Sequence, residues 1–222
     1  MQNEKASGIK VFQELVLRHA DGPPAVRKAV LAHLNPPWNH KTQREDEIRE
    51  DALGSGDVIA LMRDATEKRP GISLWMFEEG DGFKVSNIIP LNAGELGIAG
   101  YNQALKDFVD EIVVPAERAG LLNYLLTSPF KTIDDWADSQ TVTCLKRFSA
   151  AANKSTGRSH PMDEVRWLEF LIAAHTNGAG RDSEFLLRWL VDSEAWPHDI
   201  ALELASEYDL SRSLLSKYDA SR

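Results

Sequence analysis

The sequence predicts an α+β fold that is mostly helical, with a small antiparallel sheet in the N-terminal part packed on a C-terminal α-helical bundle. Two observations predict it. β-rich runs flank a Glu-Glu-Gly-Asp-Gly turn between residues 72 and 89, and after residue 130 apolar residues recur mainly at helical spacing. We therefore expect an α+β lobe at 1–129 and an all-helical lobe at 130–222, with one continuous domain as the alternative.

Composition limits the classes of function. The 222 residues are 43% apolar and include six tryptophans, which is typical of a folded chain with a real core. The net charge of −9 repels a phosphate backbone, so nucleic-acid binding would require a strong local basic patch and is not expected. Cys144 is the single cysteine, which excludes an intrachain disulfide and a cysteine zinc site. Without a signal-peptide pattern or a membrane-length apolar run, we expect a cytoplasmic protein.

The N-terminal part begins with apolar residues at helical spacing, which predict a first helix: Ile9, Phe12, Val16 and His19. Gly22-Pro23-Pro24 then breaks the chain, and a second helix is predicted over 25–34. Residues 41–51 are almost wholly charged, so we expect a solvated helix or loop outside the core. A further helix is predicted over 57–68 from its one-sided apolar residues.

The best local prediction is a hairpin of 72–77 with 83–89, because an Asp-Gly turn lies between two β-rich runs. Residues 101–114 predict a helix with one apolar stripe, and Pro115 is expected to stop or kink it. Its charged residues are expected to face solvent: Lys106, Asp107, Asp110 and Glu111. The short apolar run 121–126 is assigned to the sheet.

The C-terminal part predicts helices throughout. Thr132 with Asp135 resembles a capping box, and Pro161 suits the first position of a helix. The helix after Pro161 is apolar around most of its girth, so we expect it to be central. Gly178 suits its C-terminal end, and two more helices are predicted over 183–191 and 199–218.

The main candidate site is the loop 153–160, Asn-Lys-Ser-Thr-Gly-Arg-Ser-His, which has no apolar side chain. Cations, hydroxyls and a histidine beside a helix N-terminus suit an anion, a phosphate or an acidic partner surface. The candidate binding residues are Lys154, Ser155, Thr156, Arg158, Ser159 and His160. The alternative is a solvated connection whose counter-charges are Asp163 and Glu164. The Walker pattern is absent, since three alanines and Asn153 precede the lysine.

Trp38 is the second candidate, because it lies in a proline-rich loop outside the apolar patterns. An exposed tryptophan in a rigid loop can anchor a protein interface. The alternative is a tryptophan folded back on the N-terminal helices.

Catalytic and metal signatures are missing. The chain has no His-Glu-x-x-His and no Gly-x-Ser-x-Gly, and the glycines between 94 and 100 have the wrong spacing for a dinucleotide loop. Paired carboxylates at 107/111 and 134/138 are interpreted as solvated acidic faces. We predict no catalytic residue, no metal ligand and no cofactor.

These observations favour a non-enzymatic cytoplasmic protein-binding module, such as an inhibitor or immunity-type protein or an accessory subunit of a bacterial complex. Another protein is the expected partner, and no membrane partner is expected. The alternative is an enzyme or sensor that binds a phosphorylated ligand at the loop 153–160, with His160 as its acid or base.

Overall fold

The computed structural model describes residues 8–51, 56–178 and 182–222. It has an α+β architecture in which helix predominates, at 52% against 19% strand, as the sequence predicted. The chain divides into two compact units. One is Val11–Pro129, and the other combines residues from the first ten of the chain with Phe130–Arg222.

The unit 11–129 is built on a six-stranded antiparallel sheet. The first strand of the chain, β1 (Ile9–Lys10), lies outside this sheet. The strands of the sheet are β2 (Leu15–Arg18), β3 (Trp38–His40), β4 (Val58–Arg63), β5 (Ile72–Glu79), β6 (Gly82–Pro90) and β7 (Asn123–Leu126). Their spatial order is β3-β4-β5-β6-β2-β7. The predicted hairpin is confirmed, and it turns at Gly80, whose φ of 63° suits glycine. The strand predicted within 121–126 is also present.

Two predicted helices are wrong, because residues 9–19 and 57–68 contain strands instead. In β2 the buried Leu15 and Leu17 alternate with Val16 and Arg18, a period of two. In β4 Val58, Ile59, Ala60 and Leu61 are all buried, so the strand is covered on both faces. A short apolar run of this kind has no alternation to distinguish it from a helix.

Helices cover the sheet. They are α1 (Pro23–Ala32), α2 (Thr42–Asp51), α3 (Gly97–Phe108) and α4 (Val114–Arg118), with a π-helical turn at Val109–Val113 between the last two. Val30 of α1 and Phe108 of α3 share one buried cluster with Leu17, Leu74 and Phe83 of the sheet. Pro115 does not stop the helix, which continues from the π-helical turn at Val109–Val113 into α4.

The second unit starts from β1 (Ile9–Lys10), which pairs antiparallel with β8 (Phe130–Lys131). Within the described part of this unit, five helices follow: α5 (Ile133–Trp136), α6 (Ser139–Ala151), α7 (Pro161–Thr176), α8 (Ser183–Asp192) and α9 (His198–Ala220). The capping box at Thr132 and Asp135 and the helix start at Pro161 are confirmed. Its core is a continuous chain of ring contacts: Trp196, Phe148, Trp167, Phe170, Tyr208, Trp136 and Phe185.

The helix α7 is buried on one side and exposed on the other. Trp167 and Phe170 are fully buried, but Val165, Leu168 and Ile172 are exposed, so the prediction of a helix buried around its girth is wrong on that side. Across residues 8–51, 56–178 and 182–222, no helix is both long and apolar enough to cross a bilayer.

Candidate interaction surface

Among the large apolar side chains exposed on α7 and α9, five fall into two rows, Val165, Leu168 and Ile172 on α7 and Leu210 and Leu214 on α9. Their exposures are 46% for Val165, 46% for Leu168, 58% for Ile172, 70% for Leu210 and 66% for Leu214. The spacings within each helix, three or four residues, put its members on one side of that helix. We call these five side chains the α7–α9 face.

The two helices run parallel and in contact, which brings the two apolar rows together. Trp167 Nε1 donates to Glu207 Oε2 over 3.2 Å, and nearer the C-terminal ends of both helices His175 Nε2 lies 2.7 Å from Asp219 Oδ2. Residue numbers increase in the same direction on both helices, so the helices are parallel. These contacts show which side of each helix faces the other helix. Because successive residues of an α-helix are about 100° apart around its axis, Leu168 and Ile172 of α7 project to the same side of the helix pair as Leu210 and Leu214 of α9. The α7–α9 face is therefore one continuous surface over the groove between two helices.

The surface is acidic as well as apolar. The helices α7 and α9 carry eight acidic and three basic side chains. Two of the three cations form ion pairs within their own helix: Arg166 with Asp163 at 2.6 Å and Arg212 with Asp209 at 3.6 Å. A partner surface that covers these helices would meet negative potential around an apolar centre.

The predicted loop 153–160 lies at one end of this face. A groove of about 700 Å³ is lined by Thr156, Arg158 and Ser159 of the loop and by Leu210 of the face. Its other charged lining residues are three glutamates: Glu164, Glu203 and Glu207. The structure therefore brings part of the predicted site next to the exposed apolar rows.

Both cations of the loop already have partners. Lys154 Nζ donates to the backbone carbonyl of Glu194 and lies 3.9 Å from its carboxylate. Arg158 contacts Glu207 at 2.7 Å and Glu164 at 3.2 Å. A phosphate in this groove would compete with these carboxylates for Arg158 and would face their charge.

The other loop residues make local hydrogen bonds. Ser155 donates from both its N–H and its hydroxyl to Asn153 Oδ1, at 3.0 and 2.8 Å. His160 caps α7, since its Nδ1 accepts from the N–H of Met162 at 3.2 Å. These contacts give the loop a defined shape, and they place the His160 ring nitrogen against its own helix.

The expected exposure of Trp38 is contradicted. It lies in β3, is 2% exposed and packs against the Phe108 ring with centroids 5.3 Å apart. Its indole N–H donates to Glu111 Oε2 over 2.7 Å. The proline-rich segment folds this ring back into the core, so Trp38 offers no surface to a partner.

Two charged groups that the sequence placed in solvent are buried. Asp107 is 5% exposed, because it faces Arg63 inside the unit 11–129. Glu45, within the segment expected to lie outside the core, is 1% exposed and accepts from Arg27, from the backbone N–H of Ala60 and from His40 at 2.6 Å. Both carboxylates join structural elements of the sheet unit, so the solvated-face interpretation is wrong for them.

The α7–α9 face was not predicted from the sequence, because the apolar residues of α7 were expected to be core. The sequence did carry a signal: α7 has apolar residues on all sides, and a helix in a small bundle cannot bury every side.

Within the residues that the structure describes, no group of three His, Cys, Asp or Glu side chains could hold a metal ion. Comparison of the chain with protein-family models, with curated proteins and with solved structures finds no match.

Proposed function

We propose that this protein is a non-enzymatic protein-binding module of the inhibitor, immunity or accessory-subunit type, and that the α7–α9 face is its binding surface. The observation that carries the proposal is the exposure of five large apolar side chains on two adjacent helices. Contiguous apolar surface of this kind marks interaction sites in proteins that remain folded and soluble.

Covering the α7–α9 face would remove apolar surface from water and so lower the free energy. Full burial of a Leu, Ile or Val side chain is worth about 1.5–3 kcal/mol, so a half-exposed one has about 1 kcal/mol still to gain. Five such residues supply a substantial share of the driving force for association, against which the cost of immobilising two molecules must be set.

The charge around the face selects the partner. Because acidic side chains outnumber basic ones on α7 and α9, the proposed occupant is a protein that presents apolar residues surrounded by lysine or arginine. Such a complex should associate more slowly at high salt, since salt screens long-range attraction between exposed charges.

The test is affinity purification from the native host under mild conditions, read by native mass spectrometry, with matched variants. Ile172→Glu with Leu214→Glu adds charge at the centre of the face, at positions exposed enough to keep the fold. Ser216→Glu adds one such charge on the opposite side of α9. We expect the wild type and Ser216→Glu to retain one partner protein in fixed stoichiometry, and the double variant to lose it at an unchanged melting temperature.

Three outcomes would contradict the proposal. The double variant could keep the partner as well as the wild type does, or every form could purify as a lone chain. A dimer of this chain that the double variant dissolves would assign the face to self-association instead.

A further inference from the structure

The strand β6 is longer than its neighbour on one side. It spans Gly82–Pro90 and pairs with β5 except at a bulge that leaves Ser86 without a partner, but β2 pairs only with Gly82, Phe83 and Lys84. Among the described residues, no backbone hydrogen bond joins residues 86–90 to a neighbour on the β2 side. This leaves an open strand edge in the middle of the sheet.

The chain before β2 does not fill the opening. The N–H of Gln13 donates to Asn102 Oδ1 over 2.9 Å, and Asn102 Nδ2 donates to the carbonyl of Val11 over 2.8 Å. These bonds hold residues 11–13 against α3, at the far side of the gap from β6. The side chain of Asn102 therefore keeps the gap open by satisfying the backbone that would otherwise extend β2.

Backbone groups point into the gap. The N–H of Leu91 donates to the carbonyl of Gly71 over 2.9 Å, so residues 91, 89 and 87 direct their backbone groups toward β5. In an antiparallel pair the intervening residues point the opposite way, which turns the N–H and C=O of Ile88 toward the open edge. Pro90 can offer only its carbonyl there.

The space beside this edge is a groove of about 820 Å³. Its apolar lining includes Phe12, Val85, Ile88, Leu96 and Tyr101, and the rings of Phe12 and Tyr101 meet edge to face at 5.0 Å. Three carboxylates and one amine also line it: Glu14, Glu79, Glu95 and Lys84. Because Lys84 is paired with Glu14 at 3.0 Å, the groove is negative overall.

We infer that this groove binds an extended segment of a partner protein as an added β-strand. Strand addition satisfies the free backbone groups of an edge, while pockets for alternate side chains provide specificity. The negative lining selects a segment whose apolar side chains at alternate positions are accompanied by lysine or arginine. The open edge, residues 86–90, accommodates a strand of about 16 Å at roughly 3.3 Å per residue.

This site goes beyond the proposed function, since it lies in the unit 11–129 and uses none of the α7–α9 face. The two can therefore fail separately. Ile172→Glu with Leu214→Glu should leave binding at the β6 edge unchanged, whatever it does to a partner at the α7–α9 face.

The test is selection of a randomised seven-residue peptide display library on the full chain, followed by affinity measurement with the enriched peptides. Phe12→Lys places a cation in the lining at a position 51% exposed, and Leu125→Lys makes the same change at a 65% exposed site on β7 outside the groove. We expect enriched peptides to alternate apolar residues and to be basic. Their affinity should fall about tenfold in Phe12→Lys, a result of lost apolar contact and like-charge repulsion, and stay unchanged in Leu125→Lys.

Amide hydrogen exchange tests the strand geometry directly. A bound peptide should slow exchange at the N–H of Ile88, and N-methylation of the peptide's central amide should weaken binding about tenfold by removing one edge hydrogen bond. The inference is overturned if no sequence is enriched, if enriched peptides are acidic, or if they bind Phe12→Lys as well as wild type. Peptides that bind without protecting Ile88 would also overturn it.

Discussion

Arg63 Nη1 donates to Asp107 Oδ2 over 2.6 Å, and the two side chains are only 2% and 5% exposed. The pair links β4 to α3 inside the unit 11–129. Gln103 Nε2 donates to the other oxygen of Asp107 at 2.9 Å, and the guanidinium lies 5.6 Å from the Trp38 ring centroid. Arg63 Nε is the one buried side-chain nitrogen or oxygen that lacks a hydrogen-bond partner within the described ranges.

Removal of Asp107 should strongly destabilise the protein. In Asp107→Ala the buried charge of Arg63 is left without its main partner, which typically costs about 3–5 kcal/mol. Urea unfolding at neutral pH measures the loss. As a control, Asp110→Ala removes the carboxylate of an exposed pair with Lys106 and should change stability little. Equal effects of the two substitutions would show that burial of the Arg63 pair carries no special weight.

Trp38→Ala should also destabilise the fold. The substitution deletes a buried ring that packs on Phe108 and donates to Glu111, and large-to-small changes of this kind cost about 3–5 kcal/mol. Thermal unfolding measures it. A variant that kept the wild-type melting temperature but lost a partner protein would instead restore Trp38 as an interface residue.

Stability should fall in acid partly through Asp57. Burial opposes its ionisation, but the hydrogen bond from Arg49 and the charge of Arg27 outweigh burial and hold the pKa of Asp57 below its ordinary value. The folded carboxylate stays charged at a lower pH than the unfolded one, so its stabilisation is present above about pH 4 and is lost as the pH falls through the folded pKa. Asp57→Asn should lose less free energy of unfolding between neutral pH and about pH 3 than wild type does.

The exposed Glu50→Gln serves as the matched carboxylate substitution on α2 for that experiment. The free energy of unfolding of Glu50→Gln should fall between neutral pH and about pH 3 as much as that of the wild type does. If Asp57→Asn also followed the wild type, the network of Asp57 with Arg27 and Arg49 would not contribute to acid unfolding.

Tyr208 should make the protein sensitive to alkali. Burial, with a further contribution from the Asp209 carboxylate, raises the pKa of Tyr208 to about 12 against the opposing charge of Arg212. The unfolded state releases this proton first, near pH 10, so the stabilisation is present below that pH and is lost as the pH rises toward about 12. Tyr208→Phe should flatten the decline in unfolding free energy above about pH 10. A decline as steep as in wild type would point to other groups.

Phosphate should leave the melting temperature unchanged. The cations Lys154 and Arg158 are held by carboxylate or carbonyl groups of Glu194, Glu207 and Glu164, so a free anion gains little by displacing them. A site with a Kd of about 1 mM would add about 1.4 kcal/mol at about 10 mM phosphate, which a thermal shift detects. Chloride at equal ionic strength is the control. A rise specific to phosphate would favour the phosphorylated-ligand alternative.

Much of the fold followed from local chemistry in the sequence. The 72–89 hairpin, the capping box at Thr132 and the proline start at Pro161 are decided by residues close to one another, and all three are confirmed. The hairpin turns one residue earlier than the predicted Asp81-Gly82 pair, at Gly80-Asp81. The helix predictions over 9–19 and 57–68 failed because neighbours distant in sequence decide them. β2 is held between β6 and β7, and β4 between β3 and β5.

In the candidate site too, features that depend on neighbouring residues were predicted, whereas those that depend on residues distant in sequence were not. The polar composition of 153–160 correctly marked a loop beside a helix N-terminus, but the glutamates that pair its cations come from α7, α9 and the residues after α8. Apolar residues all around α7 indicated that one side of it stays uncovered, but which side depends on how the other helices pack, so Val165, Leu168 and Ile172 could not be singled out from the sequence. The binding roles of these residues stay predictions.

The pairing of β1 with β8 has a consequence for synthesis. Ile9 and Lys10 leave the ribosome long before their partners Lys131 and Phe130, while the strands and helices of Val11–Pro129 lie wholly between them in the chain. The sheet unit can therefore complete its hydrogen bonding during translation, whereas β1 waits for residues that emerge afterwards. Among the strands in the part of the chain that the structure describes, β1 thus waits longest for the partner that completes its backbone hydrogen bonds.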